Sequence, residues 1–374
     1  MKDCTIRTTR KEFIATGICA GAYCAIPGQA SAETPTRPDL FEARYYEKAN
    51  NQLVKCKLCP WKCNISKGGL GKCRVKINHN GKLYSLVYGK PCAMNLDPIE
   101  KKPFFHVYPG TKAFSIATAG CNFVCKFCQN WDISQIEIDK VNVPYQSPQD
   151  IAQKAANAQA KTIAYTYSEP TIFNEYVVDC AKAAKDLGIE SIVVSNGFIC
   201  SEPLKDLTKV VKAIKVDFKA FTDDFYENTC EGLLDPVKKS LKTIVESGTW
   251  LEIVVLVIPT LNDNMDDIKK MADWIIKELG PDVPLHFTRF HPAYKLQNLT
   301  QTPPAILANA RATAMKQGCN YVYTGNLPGN DGENTYCPKC KTMVIKRYGM
   351  MTMSNGLNGN NCPNCGNHIP GIWN

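Results

Sequence analysis

The stretch TAGCNFVCKFCQNWD, residues 118–132, contains three cysteines on one short segment. They are Cys121, Cys125 and Cys128, and their spacing is C-x3-C-x2-C. The flanking sequence offers no fourth cysteine at ligand spacing. A closed metal site made of thiolates usually has four ligands. The segment therefore predicts a metal site with one position that the protein leaves open.

The sequence on both sides of this segment alternates strands with helices. From Phe114 to about Gly318 there are six strand-like stretches: FSIATAG, TIAYTY, SIVVSNG, AIKVDFKAF, WLEIVVLVIP and PLHFTRFHP. A helical pattern follows each of them. Repeated β/α units imply parallel strands with right-handed crossovers. We therefore predict an α/β fold with a partial (β/α)6 TIM-like barrel, whose working residues lie at the carboxyl ends of the strands.

Polar residues follow these predicted strand ends. They are Glu169 after the second strand, Ser195 and Asn196 at the third, Asp217 and Lys219 on the fourth, and His291 after the sixth. Asp217 and Lys219 are two positions apart, so both point to one face of a strand. Each residue alone would suit a cap, a turn or a charge pair inside a barrel. Their convergence on one rim favours a functional site.

An amino-terminal segment, CKLCPWKCNISKGGLGKC, contains four further cysteines at ligand spacing. They are Cys56, Cys59, Cys63 and Cys73. Glycines between them permit the tight turns that let thiolates converge, and lysines temper the summed negative charge. Four thiolates suit either a tetrahedral zinc ion or an auxiliary iron–sulfur cluster. The sequence leaves both possibilities open.

The carboxyl terminus contains two C-x2-C knuckles, CPKC and CPNC. Their cysteines are Cys337, Cys340, Cys362 and Cys365. Paired knuckles at this separation are typical of a zinc ribbon, with a rubredoxin-like iron as the alternative. The remaining cysteines of the later chain have no partners at ligand spacing, and we assign them no metal. They are Cys92, Cys180, Cys200, Cys230 and Cys319.

The overall composition argues against two other classes of protein. The chain has 374 residues, 19 cysteines and a formal net charge of +9. Most of the cysteines lie in tight groups at metal-ligand spacing, which disfavours a disulfide framework. Thiolates bound to metal would offset much of the positive charge, and no Lys/Arg-rich block stands out, so we expect no nucleic-acid partner. No apolar run is long enough for a membrane-spanning helix.

These features divide the chain into four predicted regions. Residues 1–32 form a possible twin-arginine-like signal, 33–110 a Cys-rich metal-binding region, 111–328 the barrel, and 329–374 the zinc-ribbon-like module. The first region contains Arg10-Lys11 where such a signal has two arginines, and it ends in Ala-Ser-Ala. A non-functional terminus is the alternative. We expect a cytoplasmic protein, with export to the periplasm as the other possibility.

The three-cysteine loop resembles the signature of the radical SAM superfamily. In that pattern three cysteines bind three irons of a [4Fe–4S] cluster, and S-adenosylmethionine chelates the fourth iron. Phe127, immediately before the third cysteine, also matches it. The segments YTYSEPTIF, VSNGF, VDFKAF, IPTLND and RFHPAYK resemble the radical SAM proteins of the AmmeMemoRadiSam group. That group is related to pyruvate formate-lyase activating enzyme.

The resemblance implies a role for each strand-end residue. It implies that Glu169 lies near the amino group of S-adenosylmethionine and that Ser195 and Asn196 face its ribose or methionine part. It implies further that Asp217 and Lys219 neighbour its carboxylate. His291 would lie near the cofactor or the substrate. One position departs from the family pattern. Tyr167-Ser168-Glu169 stands where the superfamily usually has Gly-Gly-Glu.

The activity implied by the resemblance is reductive cleavage of S-adenosylmethionine to methionine and a 5′-deoxyadenosyl radical. That radical would abstract hydrogen from an unidentified substrate, either a protein or a small molecule, and an electron donor is the required partner. One alternative is an activase of a glycyl-radical enzyme. Another, from a different class, is a non-catalytic iron–sulfur and zinc protein that transfers electrons or serves as a scaffold.

Overall fold

Short antiparallel strands make up the first part of the chain. A computed structural model describes residues 40–374, so the predicted signal segment lies outside the described residues. The first strands are β1 (Phe41–Glu42), β2 (Tyr46–Lys48), β3 (Val54–Cys56), β4 (Asn64–Ile65), β5 (Lys76–His79) and β6 (Lys82–Ser85). They form two three-stranded sheets, ordered β1-β6-β5 and β2-β3-β4. In the second sheet the N–H of Cys56 donates to the carbonyl of Cys63 at 2.9 Å, which brings two predicted metal ligands into register.

An eight-stranded sheet forms the centre of the molecule. Its strands are β7 (Pro91–Pro98), β8 (Lys112–Thr118), β9 (Thr162–Tyr165), β10 (Glu190–Ser195), β11 (Ala213–Asp217), β12 (Trp250–Val257), β13 (Leu285–Arg289) and β14 (Val322–Gly325). They follow one another in sequence order across the sheet. The strands from β8 to β14 are parallel, and β7 pairs with β8 antiparallel. This is the predicted partial barrel, extended by β14 after the sixth β/α unit and by β7 on the other edge.

Helices connect the parallel strands. They are α1 (Trp131–Ser134), α2 (Pro148–Asn157), α3 (Asn174–Lys185), α4 (Ser201–Thr208), α5 (Asp223–Phe225), α6 (Leu234–Glu246), α7 (Met265–Leu279) and α8 (Pro304–Gln317). Local chemistry sets their ends. Ser147 and Asp150 form a reciprocal capping box at the start of α2, with Pro148 in its first turn. Gly318, with a φ of 116°, ends α8.

Successive side chains of β12 point to opposite faces of the sheet, so this strand contributes both to the hydrophobic core and to the site. Ile253, Val255 and Val257 belong to the main hydrophobic core. Val254 and Leu256, which point to the other face, line a cavity inside the barrel. Apart from the buried Glu252, the strand is apolar on both faces because helices cover one side and the barrel interior lies on the other.

The last strands are β15 (Thr335–Tyr336), β16 (Met343–Tyr348) and β17 (Met351–Asn355), which form a small antiparallel sheet. A cluster that includes Phe105, Tyr323 and Trp373 joins this module to the barrel. The guanidinium of Arg347 donates to the carbonyl of Phe105 at 2.6 Å. These contacts lie near the amino ends of β12–β14, opposite the rim that carries the three-cysteine loop. No helix within residues 40–374 has the length and apolar character needed to cross a membrane.

Candidate active site at the carboxyl ends of the strands

The three-cysteine loop follows β8 through a glycine that no other residue could replace without strain. Gly120 has a φ of 98°, in the left-handed region that side chains disfavour. A Cβ atom at this position would lie 2.7 Å from Cγ1 of Val75 and 3.1 Å from the carbonyl oxygen of Cys73. The loop can therefore leave the strand only at this angle. Its residues that line the barrel cavity include Cys121, Cys125, Phe127 and Cys128.

A π-helical turn, Tyr226–Cys230, is hydrogen-bonded to this loop through the backbone. The N–H of Val124 donates to the carbonyl of Cys230, and that of Lys126 to the carbonyl of Thr229, both at 2.9 Å. The buried thiol of Cys230 also contacts Cys125; its hydrogen bond, together with burial, raises the pKa of Cys125 well above the ordinary value. Sequence spacing did not reveal this partner, because 105 positions separate the two cysteines. Cys230 is not among the residues that line the cavity.

Glu169 organises the neighbouring strand ends. Its carboxylate is 2 % exposed and accepts three hydrogen bonds: from the hydroxyl of Ser195 at 2.7 Å, from the N–H of Asn196 at 2.8 Å, and from the N–H of Thr171 at 2.9 Å. Burial raises the pKa of Glu169, and these donors offset part of the rise. Ser195 and Thr171 donate to Oε1 and only Asn196 donates to Oε2, so Oε2 keeps an acceptor position for a ligand.

Asn196 in turn reaches the cysteine loop. Its side-chain amide donates to Oδ1 of Asn122 at 2.8 Å, and Asn122 is the residue after the first cysteine. Asn122 also donates to the carbonyl of Phe198 at 2.9 Å. Both asparagines are buried. The strand ends that contain Glu169 and Asn196 are therefore linked to the cysteine loop by a continuous chain of hydrogen bonds.

Asp217 lies between two lysines on the next strand. The Nζ of Lys215 donates to one carboxylate oxygen at 2.5 Å, and the Nζ of Lys219 donates to the other at 2.9 Å. Burial by itself would raise the pKa of Asp217, but the two ammonium groups lower it well below its usual range. The Nζ of Lys219 also lies 5.7 Å from the ring centroid of Phe127. Lys215 was absent from the predicted site, although its spacing from Asp217 placed it on the same strand face.

Nine of the ten residues predicted for the barrel site border a single cavity of about 440 Å³. Its predicted site residues are Cys121, Cys125, Phe127, Cys128, Glu169, Ser195, Asn196, Asp217 and Lys219. His291 is exposed and lies outside this lining; its backbone carbonyl accepts a hydrogen bond at 2.9 Å from Gln129, which does line the cavity. A larger hollow of about 530 Å³ lies at the amino ends of the strands, and its lining contains no cysteine, histidine or carboxylate.

Tyr167 occupies the mouth of the cavity with partners that the sequence did not indicate. Its φ of 63° is unusual for a bulky residue, and this is the position where the family pattern has glycine. The phenol donates to Asp97 on β7, and its ring lies 4.1 Å from the Nζ of Lys102. Burial lowers the pKa of Lys102 to about 8, even though Asp97 opposes the shift. Asp97 on the antiparallel edge strand thus fixes Tyr167 and Lys102, which line the cavity.

The three cysteines suit a cluster better than a single ion. Thiolates that share one tetrahedral zinc lie about 3.8 Å apart, since each Zn–S bond is about 2.3 Å. Within residues 40–374, only one group of metal-binding side chains has its donor atoms all within 4.8 Å, and it does not include this loop. Thiolates on different irons of a cubane stand farther apart. Three soft sulfur ligands facing a cavity therefore fit a [4Fe–4S] cluster whose fourth iron is open to a ligand.

The carboxyl-terminal knuckles form the compact group. The sulfurs of Cys337 and Cys365 are 3.6 Å apart, as are those of Cys340 and Cys362. All four lie within 4.8 Å of one another. This is the spacing of a tetrahedral zinc site. In the amino-terminal segment three cysteines are buried and Cys63 is half-buried. Two of them, Cys59 and Cys73, pack in the main core with Phe123 and Phe127 of the three-cysteine loop.

Comparisons with known proteins agree with this geometry. The family model described as the radical SAM superfamily matches residues 115–275. An uncharacterised protein of Methanocaldococcus jannaschii, MJ0808, is 43% identical over 309 residues, which are 83% of this chain and 92% of that protein. The (2S)-3-sulfopropanediol dehydratase activating enzyme of Klebsiella oxytoca is 24% identical over 112 residues, or 30% of this chain and 35% of that enzyme.

Among solved structures, a domain of pyruvate-formate lyase-activating enzyme from Bacteroides vulgatus aligns with a TM-score of 0.40 and 15% identity. The alignment covers 44% of this chain and 98% of that domain. The family match spans the cysteine loop and most of the parallel strands, and the relative at 43% identity covers 83% of this chain. The chain therefore belongs to the radical SAM superfamily.

Proposed function

We propose that this chain is a radical SAM enzyme that cleaves S-adenosylmethionine reductively at a [4Fe–4S] cluster and abstracts hydrogen from a substrate. One observation carries the proposal. Cys121, Cys125 and Cys128 share a single cavity with Glu169 and Asn196, at the rim where barrel enzymes keep their working residues. When bound, the cluster and S-adenosylmethionine supply a 5′-deoxyadenosyl radical.

The chain's own residues bind and orient the cofactor. Oε2 of Glu169, which accepts one internal hydrogen bond, would accept another from an ammonium donor such as the amino group of S-adenosylmethionine. Lys215 and Lys219 both donate hydrogen bonds to Asp217. The carboxylate or a ribose hydroxyl of S-adenosylmethionine would accept hydrogen bonds from the same two ammonium groups. Val254 and Leu256 provide an apolar wall that excludes water from the reacting atoms. His291 would lie near the substrate at the edge of this site, where its carbonyl accepts a hydrogen bond from the cavity-lining Gln129.

Two narrower assignments within the radical SAM enzymes are candidates for this chain. An activase of a glycyl-radical enzyme is favoured by the similarity to the Klebsiella activating enzyme, although that match covers 30% of this chain. Membership of the AmmeMemoRadiSam group is favoured by the motifs and by the cysteine-rich regions on both sides of the barrel. A non-catalytic electron carrier is disfavoured because a carrier gains nothing from a cluster with an open iron beside a cavity of about 440 Å³.

The proposal also includes the arrangement of regions and the compartment. The module at 329–374 would hold structural zinc, and the region at 33–110 would hold a metal of its own.

We propose that the protein works in the cytoplasm, because S-adenosylmethionine and low-potential electrons are supplied there. Sequencing the mature amino terminus after cell fractionation tests this, and a periplasmic product that begins at Glu33 would refute it.

The decisive experiment is cofactor cleavage. Anaerobically reconstituted protein, reduced with dithionite and given S-adenosylmethionine, should release 5′-deoxyadenosine, measured by chromatography and mass spectrometry. Cys125→Ala should abolish this product and remove about four irons. Cys319→Ala is the matched control, since Cys319 is buried in the core and does not line the cavity. Product formation by the Cys125→Ala variant would refute the assignment.

A further inference from the structure

The four cysteines of the amino-terminal segment are enclosed rather than scattered on the surface. Cys56, Cys59 and Cys73 are each less than 10 % exposed, and Cys63 is half-buried. Cys59 and Cys73 belong to the main core, whereas Cys56 packs in a separate apolar cluster with Cys63 at its edge. The segment thus places three of its four cysteines in buried, apolar surroundings, the setting in which clusters are shielded from solvent.

A backbone amide points at one of these sulfurs: the N–H of Lys72 donates to Cys63 at 3.4 Å. The predicted cluster site has a contact of the same kind, where the N–H of Phe123 donates to Cys121 at 3.4 Å. Amide donors stabilise thiolates that are bound to metal, and they tune the potential of iron–sulfur clusters.

The amino-terminal sulfurs are less closely grouped than those of the zinc-ribbon module. In the zinc-ribbon module the four sulfurs all lie within 4.8 Å. The amino-terminal four do not meet that limit, and neither do the three of the barrel loop; among residues 40–374 the ribbon group alone does. Zinc requires its thiolates to stand about 3.8 Å apart. A cubane binds each thiolate to a different iron and so holds them at wider spacing.

We propose that Cys56, Cys59, Cys63 and Cys73 bind an auxiliary [4Fe–4S] cluster directly behind the first one. The carbonyl oxygen of Cys73 lies 3.1 Å from the position of a Cβ on Gly120, which is bonded to Cys121. The indole N–H of Trp61 donates to the carbonyl of Asn122 at 2.8 Å. The two cysteine groups are therefore in direct contact through their loops, and a redox centre here can exchange one electron with the first cluster.

The site is tested by metal content in the full chain, without any use of activity. The triple variant Cys121→Ala, Cys125→Ala, Cys128→Ala, reconstituted anaerobically with iron and sulfide, should retain about four irons and the paramagnetic signal of a reduced [4Fe–4S]⁺ cluster. Adding Cys59→Ser and Cys73→Ser should remove both, while adding Cys319→Ala should remove neither. About one zinc per chain should persist in every variant, held by the ribbon.

The outcomes separate this site from the function proposed above. An iron-free triple variant with two zinc ions per chain, or with no metal beyond the ribbon zinc, overturns the proposal. Should the variants fail to fold, the wild-type iron count decides: about eight supports the second cluster and about four overturns it. In the wild type the two reduced clusters should also broaden each other's signals, because they are adjacent. A chain that binds about eight irons yet releases no 5′-deoxyadenosine would refute the proposed function and leave this site standing.

Discussion

Replacing Glu169 by glutamine would test how the cavity recognises a cofactor. The carboxylate accepts hydrogen bonds from Thr171 and Ser195 at one oxygen and from Asn196 at the other. Glutamine keeps the shape but offers only one acceptor oxygen. In one orientation its amide nitrogen faces the N–H of Asn196, and in the other it faces the N–H of Thr171. Either way, one buried backbone N–H loses its partner.

The magnitude follows from these contacts. A buried donor left without an acceptor costs about 1–3 kcal/mol in the free energy of unfolding. The loss of a charge-assisted hydrogen bond to the amino group of S-adenosylmethionine costs about 1.5–3 kcal/mol of binding. Since about 1.4 kcal/mol is a tenfold change, we expect affinity for S-adenosylmethionine to fall about 10- to 150-fold. The iron content should be unchanged, because the three cysteines are untouched.

The assay is calorimetric titration of S-adenosylmethionine into reconstituted protein, with a thermal melt and an iron determination on the same sample. Glu202→Gln is the matched control, because Glu202 is exposed on α4 and should change neither affinity nor stability. A Glu169→Gln protein that keeps its iron and binds S-adenosylmethionine within twofold of the wild type would refute the role of Glu169. A protein that loses its iron would show instead that Glu169 shapes the cysteine loop.

Three further changes probe other parts of the molecule. Burial lowers the pKa of His106 to about 4, so as the pH falls the unfolded chain takes up a proton on this histidine before the folded chain does. The free energy of unfolding should therefore fall by about 3 kcal/mol between about pH 6.5 and about pH 4. Chemical denaturation across that range should show this loss, and His106→Gln should lack it. Gly120→Ala should destabilise the protein by at least about 1–2 kcal/mol and impair iron loading, because a φ of 98° strains any side chain and Val75 would clash with the added Cβ. Iron loading equal to that of the wild type would contradict this. Cys340→Ser should release the ribbon zinc and lower solubility while leaving barrel iron in place, and normal zinc content would exclude the knuckles as its ligands.

Much of the fold could be predicted because its signals are local in the chain. The near-continuous apolar run of β12, the Ser147 cap of α2 and the glycine that ends α8 each act within a few residues. The spacing of Asp217 and Lys219 placed both on one face of the chain, and the structure joins them in an ion pair. Backbone geometry is enough to relate such residues, since strand and helix periods fix which side chains share a face.

Contacts between distant segments needed the folded chain. Cys230 meets Cys125 only because a π-helical turn pairs with the cysteine loop, and Asp97 meets Tyr167 only because β7 joins the sheet as an antiparallel edge. Both four-cysteine groups have ligand spacing along the chain, yet only the ribbon brings its sulfurs within 4.8 Å among residues 40–374. Ligand type and spacing along the chain thus predicted three metal sites made of sulfur. The distance between the sulfurs, which selects a single ion or a cluster, depends on how the surrounding strands and loops pack.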